Sequence, residues 1–261
     1  MFRPGGLLAR YLPGFTYRDS QEEMAQLVWD ALAARNHLAI EAGTGIGKTF
    51  AYLVPVLLSG KRAVISTGTR TLQDQLYDRD LPMLGAAIGR PVKIALLKGR
   101  NNYLCWHRFE VARQEGVRSG SFQRKLASIA EWARSGVSGD LTDLADLSED
   151  DPLRTRITST VDNCLGTRCE YYDDCFVVEA RRQAQTAGVV IVNHHLLLAD
   201  LALKESGFGE LLPGTDVVVV DEAHQLPEIA QQFFGISVGS RELQRLARDV
   251  LAEARATGLE R

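Results

Sequence analysis

Eight residues near the start of the chain, Ala42-Gly-Thr-Gly-Ile-Gly-Lys-Thr49, have the composition of a phosphate-binding loop. Glycines at 43, 45 and 47, with Thr44 among them, let backbone N–H groups turn inward around phosphate oxygens. Lys48 can reach β- and γ-phosphates, and the Thr49 hydroxyl can ligate Mg²⁺. The strict pattern opens on glycine where this chain has Ala42, but the other glycines remain. Far downstream, Asp216-Val-Val-Val-Val-Asp-Glu-Ala-His224 is an apolar strand ending in two acids. Asp221 is expected to hold Mg²⁺ through water, and Glu222 to orient or deprotonate the water that attacks a γ-phosphate. A Gly-rich turn or an acidic turn alone would be unremarkable; both together, in βαβ order, predict a nucleoside triphosphatase.

A second constellation is sulfur. Cys164, Cys169 and Cys175 follow the spacing C-x4-C-x5-C, and Cys105 stands far upstream. With no export signal, clustered cysteines read as metal or redox chemistry rather than disulfides. Four thiolates can close a cage for zinc, although the spacing lacks paired C-x2–4-C knuckles. They can equally hold an iron–sulfur cluster, and unliganded reduced thiols are the third reading.

Strands must present these groups. Residues 37–41, 62–66, 92–97, 188–192 and 216–220 are short apolar runs separated by helical patterns. Near-continuous apolar strands alternating with helices predict an α/β fold with a parallel sheet covered on both faces. Between about 103 and 186 the strand pattern lapses and all four cysteines appear, so that stretch reads as an insertion. Within it Asp140, Asp143, Asp146, Glu149, Asp150 and Asp151 fall without a basic neighbour, which reads as a solvated face.

The 261 residues carry 30 Lys+Arg against 33 Asp+Glu, a net charge of −3, which excludes a strongly basic nucleic-acid binder but not a local basic groove. The longest apolar run, Ala51–Leu58, is far short of the about 20 residues a membrane helix needs. The first residues lack a secretory signal, so a cytoplasmic location with no membrane partner is expected.

Several segments together are similar to one family, roughly over residues 15–230. The phosphate loop and Asp221-Glu-Ala-His224 resemble motifs I and II of superfamily 2 helicases. Tyr17-Arg-Asp-Ser-Gln-Glu-Glu-Met24 resembles the upstream element whose Arg18 and Gln21 approach adenine, and Ser66–Leu76 resembles motif Ia, which meets the nucleic-acid backbone. Leu97-Lys-Gly-Arg-Asn-Asn-Tyr-Leu-Cys105, the cysteine spacing and Val190-Ile-Val-Asn-His-His-Leu-Leu197 complete a likeness to the DinG/YoaA group of XPD-like helicases. The resemblance implies a RecA-like domain (1–103 and 187–230) interrupted by a mostly helical iron–sulfur insertion (104–186), with an arch-like helical region beginning at 231–261. It implies ATP and Mg²⁺ as cofactors, a 4Fe–4S cluster on Cys105, Cys164, Cys169 and Cys175, and 5′→3′ DNA unwinding. The cluster domain would serve as a wedge or guide at the junction of single and double strands.

On this resemblance His224 couples hydrolysis to DNA binding, and Thr67, Thr69 and Arg70 face the DNA backbone. Threonines there equally suit a helix cap. Charge with stacking holds single strands without sequence preference, which makes Lys98, Arg100, Arg108 and Tyr103 candidate contacts. Trp106 divides between stacking on a base and packing beside a ligand cysteine, while His194 and His195 equally suit a structural role. No second strand–helix series and no arginine motif follow Gln225. The chain is therefore expected to be the N-terminal half of a motor, needing a second RecA-like domain and not unwinding DNA alone. A non-catalytic, cluster-dependent DNA-binding or redox-sensing module and a zinc-stabilised ATPase are the alternatives.

Overall fold

A computed structural model describes residues 1–12, 14–43, 45–114, 120–205, 207 and 210–235, and beyond these only 239, 240, 243, 244, 247, 248 and 250. The chain divides into two compact units, Met1–Ala223 and His224–Arg261. The first unit runs α1 (Leu7–Tyr11), α2 (Asp19–Ala34), α3 (Lys48–Ser59), β1 (Ala63–Thr67), α4 (Arg70–Gln75), a π-turn, α5 (Leu81–Ile88) and β2 (Ile94–Leu96). It continues through α6 (Trp106–Gln114), α7 (Gly120–Arg134), α8 (Pro152–Ile157), α9 (Phe176–Thr186), β3 (Val189–Asn193), α10 (His194–Glu205) and β4 (Val217–Val220). In the second unit, α11 (Leu226–Phe234) carries a proline in its first turn, where a missing N–H costs nothing.

The four strands form one parallel sheet in the order β2-β3-β1-β4. Ala63 pairs with Val189 on one side and Val217 on the other, and Ile94 also faces Val189. Alternate side chains point to opposite faces, so each central strand feeds two cores. Ile65, Val189 and Ile191 join Leu8, Ala25, Leu53 and Leu81 of the N-terminal helices. Val64, Val190 and Val192 join Ala184 and Leu197 of α9 and α10. Burial on both faces explains why these strands read as unbroken apolar runs, each buried Ile or Val contributing about 1.5–3 kcal/mol.

Four of the five expected strands form. The fifth, 37–41, does not: no ladder among the described residues includes it, and Leu38 is exposed. An apolar run fixes what a segment can bury, whereas a strand also needs an edge about 4.8 Å away. Among the described residues β4 pairs only with β1, and Val218 on it is half exposed.

The chain leaves the sheet after β2 and returns at β3, its immediate neighbour, so residues 98–188 form one long crossover. Among the described residues this stretch has no strand, only a bridge between Tyr103 and Asp140. It buries a core of its own from Leu104, Phe109, Leu126, Ile129, Leu141, Leu153 and Ile157. No helix among the described residues is long and apolar enough to cross a membrane.

Candidate functional site

The phosphate loop opens α3, and Gly47 is the residue that must be glycine. Its φ is +86°, and a Cβ there would meet the Gln21 amide nitrogen at 2.1 Å. That nitrogen donates to the Gly47 carbonyl at 3.0 Å, so buried Gln21 steadies the loop while its Oε1 has no hydrogen-bond partner. Gly45 is also left-handed, with φ +82°, whereas Gly43 has no such requirement, and Thr44 lies outside the described residues. Arg18 caps α2 through its backbone position and is exposed.

The acids at the end of β4 meet this loop. Lys48 Nζ lies 3.3 Å from Glu222 Oε1, across 174 positions of sequence. Tyr52, one helical turn after Lys48, donates its hydroxyl to Asp221 Oδ2 at 3.1 Å, and Asp221 Oδ1 accepts the Glu222 N–H at 3.0 Å. Burial and the adjacent Asp221 push the Tyr52 pKa well above the ordinary phenol range, so Tyr52 remains a donor; the Thr49 hydroxyl also acts on it. Tyr52 thus joins the two expected Mg²⁺ ligands, Thr49 and Asp221. Its signal was present in the sequence, at i+4 from Lys48 on the same helix face, but inside an apolar run it reads as core. Glu222 has φ +55°, a left-handed backbone that a residue with a Cβ disfavours. His224 begins the second unit.

Corrections fall on the expected nucleic-acid contacts. Lys98 is buried and bonded to Asp140 Oδ2 at 2.6 Å and Asp74 Oδ1 at 3.2 Å. Burial opposes its charge, but the two carboxylates more than offset this and raise its pKa. Tyr103, 3% exposed, offers no stacking face; its hydroxyl accepts the Lys98 N–H at 3.1 Å. The Thr67 hydroxyl is buried and donates to the Thr69 carbonyl, while Thr69 caps α4 by accepting the Leu72 N–H at 3.3 Å. Arg70 remains partly exposed and pairs with Glu149, so the acidic stretch is not simply solvated: Asp140, Glu149 and Asp151 each hold a cation. Arg100 is half-buried, near enough to Arg181 to add to the burial that lowers the latter's pKa. The Arg108 Nε is buried without a partner.

All four cysteines are free thiols. Cys105 precedes α6, its N–H bonded to the Ile157 carbonyl at 2.8 Å; Cys175 is the N-cap residue of α9; Cys164 and Cys169 lie on the turns between. Helix N-termini carry partial positive charge, which suits thiolates. Burial raises the Cys105 pKa, and the Cys175 and Cys169 sulfurs add to it. Among the described residues no three His, Cys, Asp or Glu side chains close tightly enough for a single metal ion. Four thiolates are a donor set that either zinc or an iron–sulfur cluster can use. Trp106 packs edge-on to Phe109 with centroids 5.8 Å apart, lies 6.0 Å from Phe176, and carries the Arg134 guanidinium over its ring at 5.9 Å.

A parallel sheet with helices on both faces, and a Lys48 loop facing two acids at a neighbouring strand end, define a RecA-like α/β nucleotide-binding protein. Residues 22–110 match the DEAD/DEAH box helicase family model and residues 84–243 match DEAD_2. The chain belongs to the DEAD_2 family and is of the DinG/YoaA type. It is 49% identical to the ATP-dependent DNA helicase YoaA of Escherichia coli over 253 residues, 95% of this chain and 39% of the relative. It is 37% identical to the ATP-dependent helicase DinG of Mycobacterium tuberculosis, over 91% of this chain and 38% of that protein. Against the 3′-5′ exonuclease DinG of Bacillus subtilis the identity is 34%, over 87% of this chain and 24% of the relative. The chain thus spans about 39% of the length of the first of these relatives.

Proposed function

We propose that this chain is the ATP-binding and strand-engaging part of a 5′→3′ DNA helicase. The observation that carries the reading is the meeting of Lys48 with Glu222 while Tyr52 of the same helix holds Asp221. In this arrangement Lys48 is occupied by a carboxylate. Incoming ATP·Mg²⁺ competes for Lys48 with its γ-phosphate oxygens, which releases Glu222. Thr49 and Asp221 then serve the Mg²⁺, and Glu222 accepts a proton from the water as its oxygen bonds to the γ-phosphorus. The bond to the bridging β-oxygen breaks, leaving ADP and phosphate. Arg18 and Gln21 approach the adenine, on the resemblance, and His224 relays nucleotide state to bound DNA.

Arg70 and Arg100 are the cations best placed for a single strand at a junction. Cys105, Cys164, Cys169 and Cys175 fit a 4Fe–4S cluster within an insertion spanning 104–186. When bound, the cluster supplies a covalent cross-link among turns otherwise held by backbone hydrogen bonds. A second RecA-like domain supplies the arginine that completes catalysis; the arch-like region expected at 231–261 lies mostly outside the described residues. Unwinding requires those further parts.

The test compares wild type with Lys48→Ala for ATP hydrolysis with and without single-stranded DNA. The expected loss is on the order of 10²-fold or more, as for removal of one donor to transition-state charge. Equal hydrolysis by both proteins overturns the reading. Anaerobic purification tests the cluster: a brown protein with equimolar iron and sulfide is expected, and a colourless one with stoichiometric zinc overturns it.

A further inference from the structure

Two of the four cysteines are followed at once by an aromatic residue, and the two rings meet. Trp106 opens α6 directly after Cys105, and Phe176 opens α9 directly after Cys175. Their centroids lie 6.0 Å apart with the planes tilted by 30°, inside the range over which aromatic pairs attract. Each ring is held from a second side. Phe109, on the next turn of α6, stands edge-on to Trp106 at 5.8 Å, and the Arg134 guanidinium of α7 lies 5.9 Å from its centroid. Phe176 lies on Gly139, whose φ is +74° and where an added Cβ would collide with the Phe176 ring. The Gly139 carbonyl also accepts the Leu104 N–H at 2.9 Å, so the residue that seats Phe176 holds the chain just before Cys105 as well.

The other two cysteines have a different setting. Leu165 and Glu170 follow them in the sequence, so neither has an aromatic neighbour of this kind. Cys164 is exposed, as are Val161 and Leu165 on either side of it. Cys169 ends a 3₁₀ turn, its N–H bonded to the Gly166 carbonyl at 3.1 Å.

We propose that Trp106 and Phe176 are positioning residues. Their paired rings join the starts of α6 and α9 and hold Cys105 and Cys175 ready as a pair, with Gly139 as the seat that permits it. Cys164 and Cys169 are left to be placed by their turns. The inference rests on the reading that the four thiols bind one group. Cys105 and Cys175 are 70 positions apart in the chain, and bringing such distant residues together costs loop entropy. The ring contact meets that cost on folding rather than on binding, which is preorganisation.

The test reads the proximity of two thiols in metal-free protein. With Cys164→Ser and Cys169→Ser in the full chain, only Cys105 and Cys175 remain to react with a short bis-maleimide. Trp106→Leu and Phe176→Leu keep apolar bulk without a flat ring, whereas Trp106→Phe keeps a ring. Both leucine variants are expected to slow intramolecular cross-linking about five- to tenfold, the population shift that one aromatic pair can supply. Rates are normalised to labelling by a mono-maleimide, which removes any change in thiol exposure. Trp106→Phe should keep most of the wild-type rate. A protein that retains Cys105 and Cys164 instead should cross-link equally with and without Phe176→Leu. Unchanged cross-linking of Cys105 to Cys175 in both leucine variants overturns the proposal. Equal slowing of both cysteine pairs overturns it too, because that marks general loosening of the insertion.

A second arm keeps all four cysteines and loads the protein anaerobically with iron and sulfide, or with zinc. Phe176→Leu should release the metal to a chelator about five- to tenfold faster than wild type. Release at the wild-type rate removes any role of the ring pair in holding the group. If wild type takes up neither iron nor zinc, the thiol-site reading itself has failed, whatever the cross-linking shows, and this inference falls with it.

Discussion

In the sheet, the chemistry sits where strands end; in the cysteine-bearing segment, it sits where helices begin. Lys48, Asp221, Glu222 and His194 are brought together by a parallel ladder whose register fixes residues more than 120 positions apart. Cys105 and Cys175 are instead set at helix starts, and Cys164 and Cys169 on turns, above a separate helical core. The difference teaches that the nucleotide site is preorganised by backbone hydrogen bonds. The sulfur site depends on how well a smaller local core holds its loops.

The two regions should therefore fail separately. Phe109→Ala, deep in the insertion core, is expected to cost about 3–5 kcal/mol. Local melting should expose the four thiols to a labelling reagent, while ATP affinity changes less than about threefold. Ile65→Ala, in the sheet core, is expected to cost about 2–5 kcal/mol and to lose nucleotide binding as well. Parallel melting, labelling and binding curves check this; loss of ATP binding in Phe109→Ala would join the two regions into one cooperative unit.

The seam between them gives the next effect. Lys98, at the end of the sheet region, is clamped by Asp140 of the insertion and Asp74 of α4. Lys98→Met leaves Asp140 buried and uncompensated, at a cost of about 3 kcal/mol, read as a lowered denaturant midpoint. Because the folded-state pKa of Lys98 is raised above 10.5, its contribution is complete below that value and fades only as pH rises through the higher folded-state value. Stability of wild type and Lys98→Met should converge only in strong alkali; convergence near neutral pH would discard the clamp.

The smallest effect lies wholly inside the insertion. Asp151 caps α8 by accepting the Leu153 N–H at 2.8 Å and pairs with Lys125. Asp151→Ala should cost about 1 kcal/mol. The Lys125 bond, then the Leu153 N–H, lowers the Asp151 pKa below 3.8, so the contribution is present above that pH and is lost as pH falls through the folded-state value. Melts of both proteins at pH 7 and pH 2.5 check the sign: the gap should narrow in acid.

Much of the first region was legible because its signals are local. Glycine at 47 and lysine at 48 announce a loop, and alternation buried on both faces turns four strands into apolar runs. Tyr52 was hidden because a polar tip on a buried residue has no periodicity of its own. Lys98, Tyr103 and Thr67 were misassigned for the complementary reason: residue type gives charge or a ring, but only packing decides whether water or DNA can reach it.

By itself the sequence determined the phosphate loop, the acidic strand end, four strands, the cysteine set and the family, all of which follow from residue types at short spacings. Only the tertiary structure decided which groups meet. It set Lys48 on Glu222, Tyr52 on Asp221 and His194 on Ser66, and it closed Lys98 inside a carboxylate clamp. The physical reason is that these contacts follow from sheet order and register, and from the return of a long crossover to the neighbouring strand. Neither is encoded in any short window of the chain.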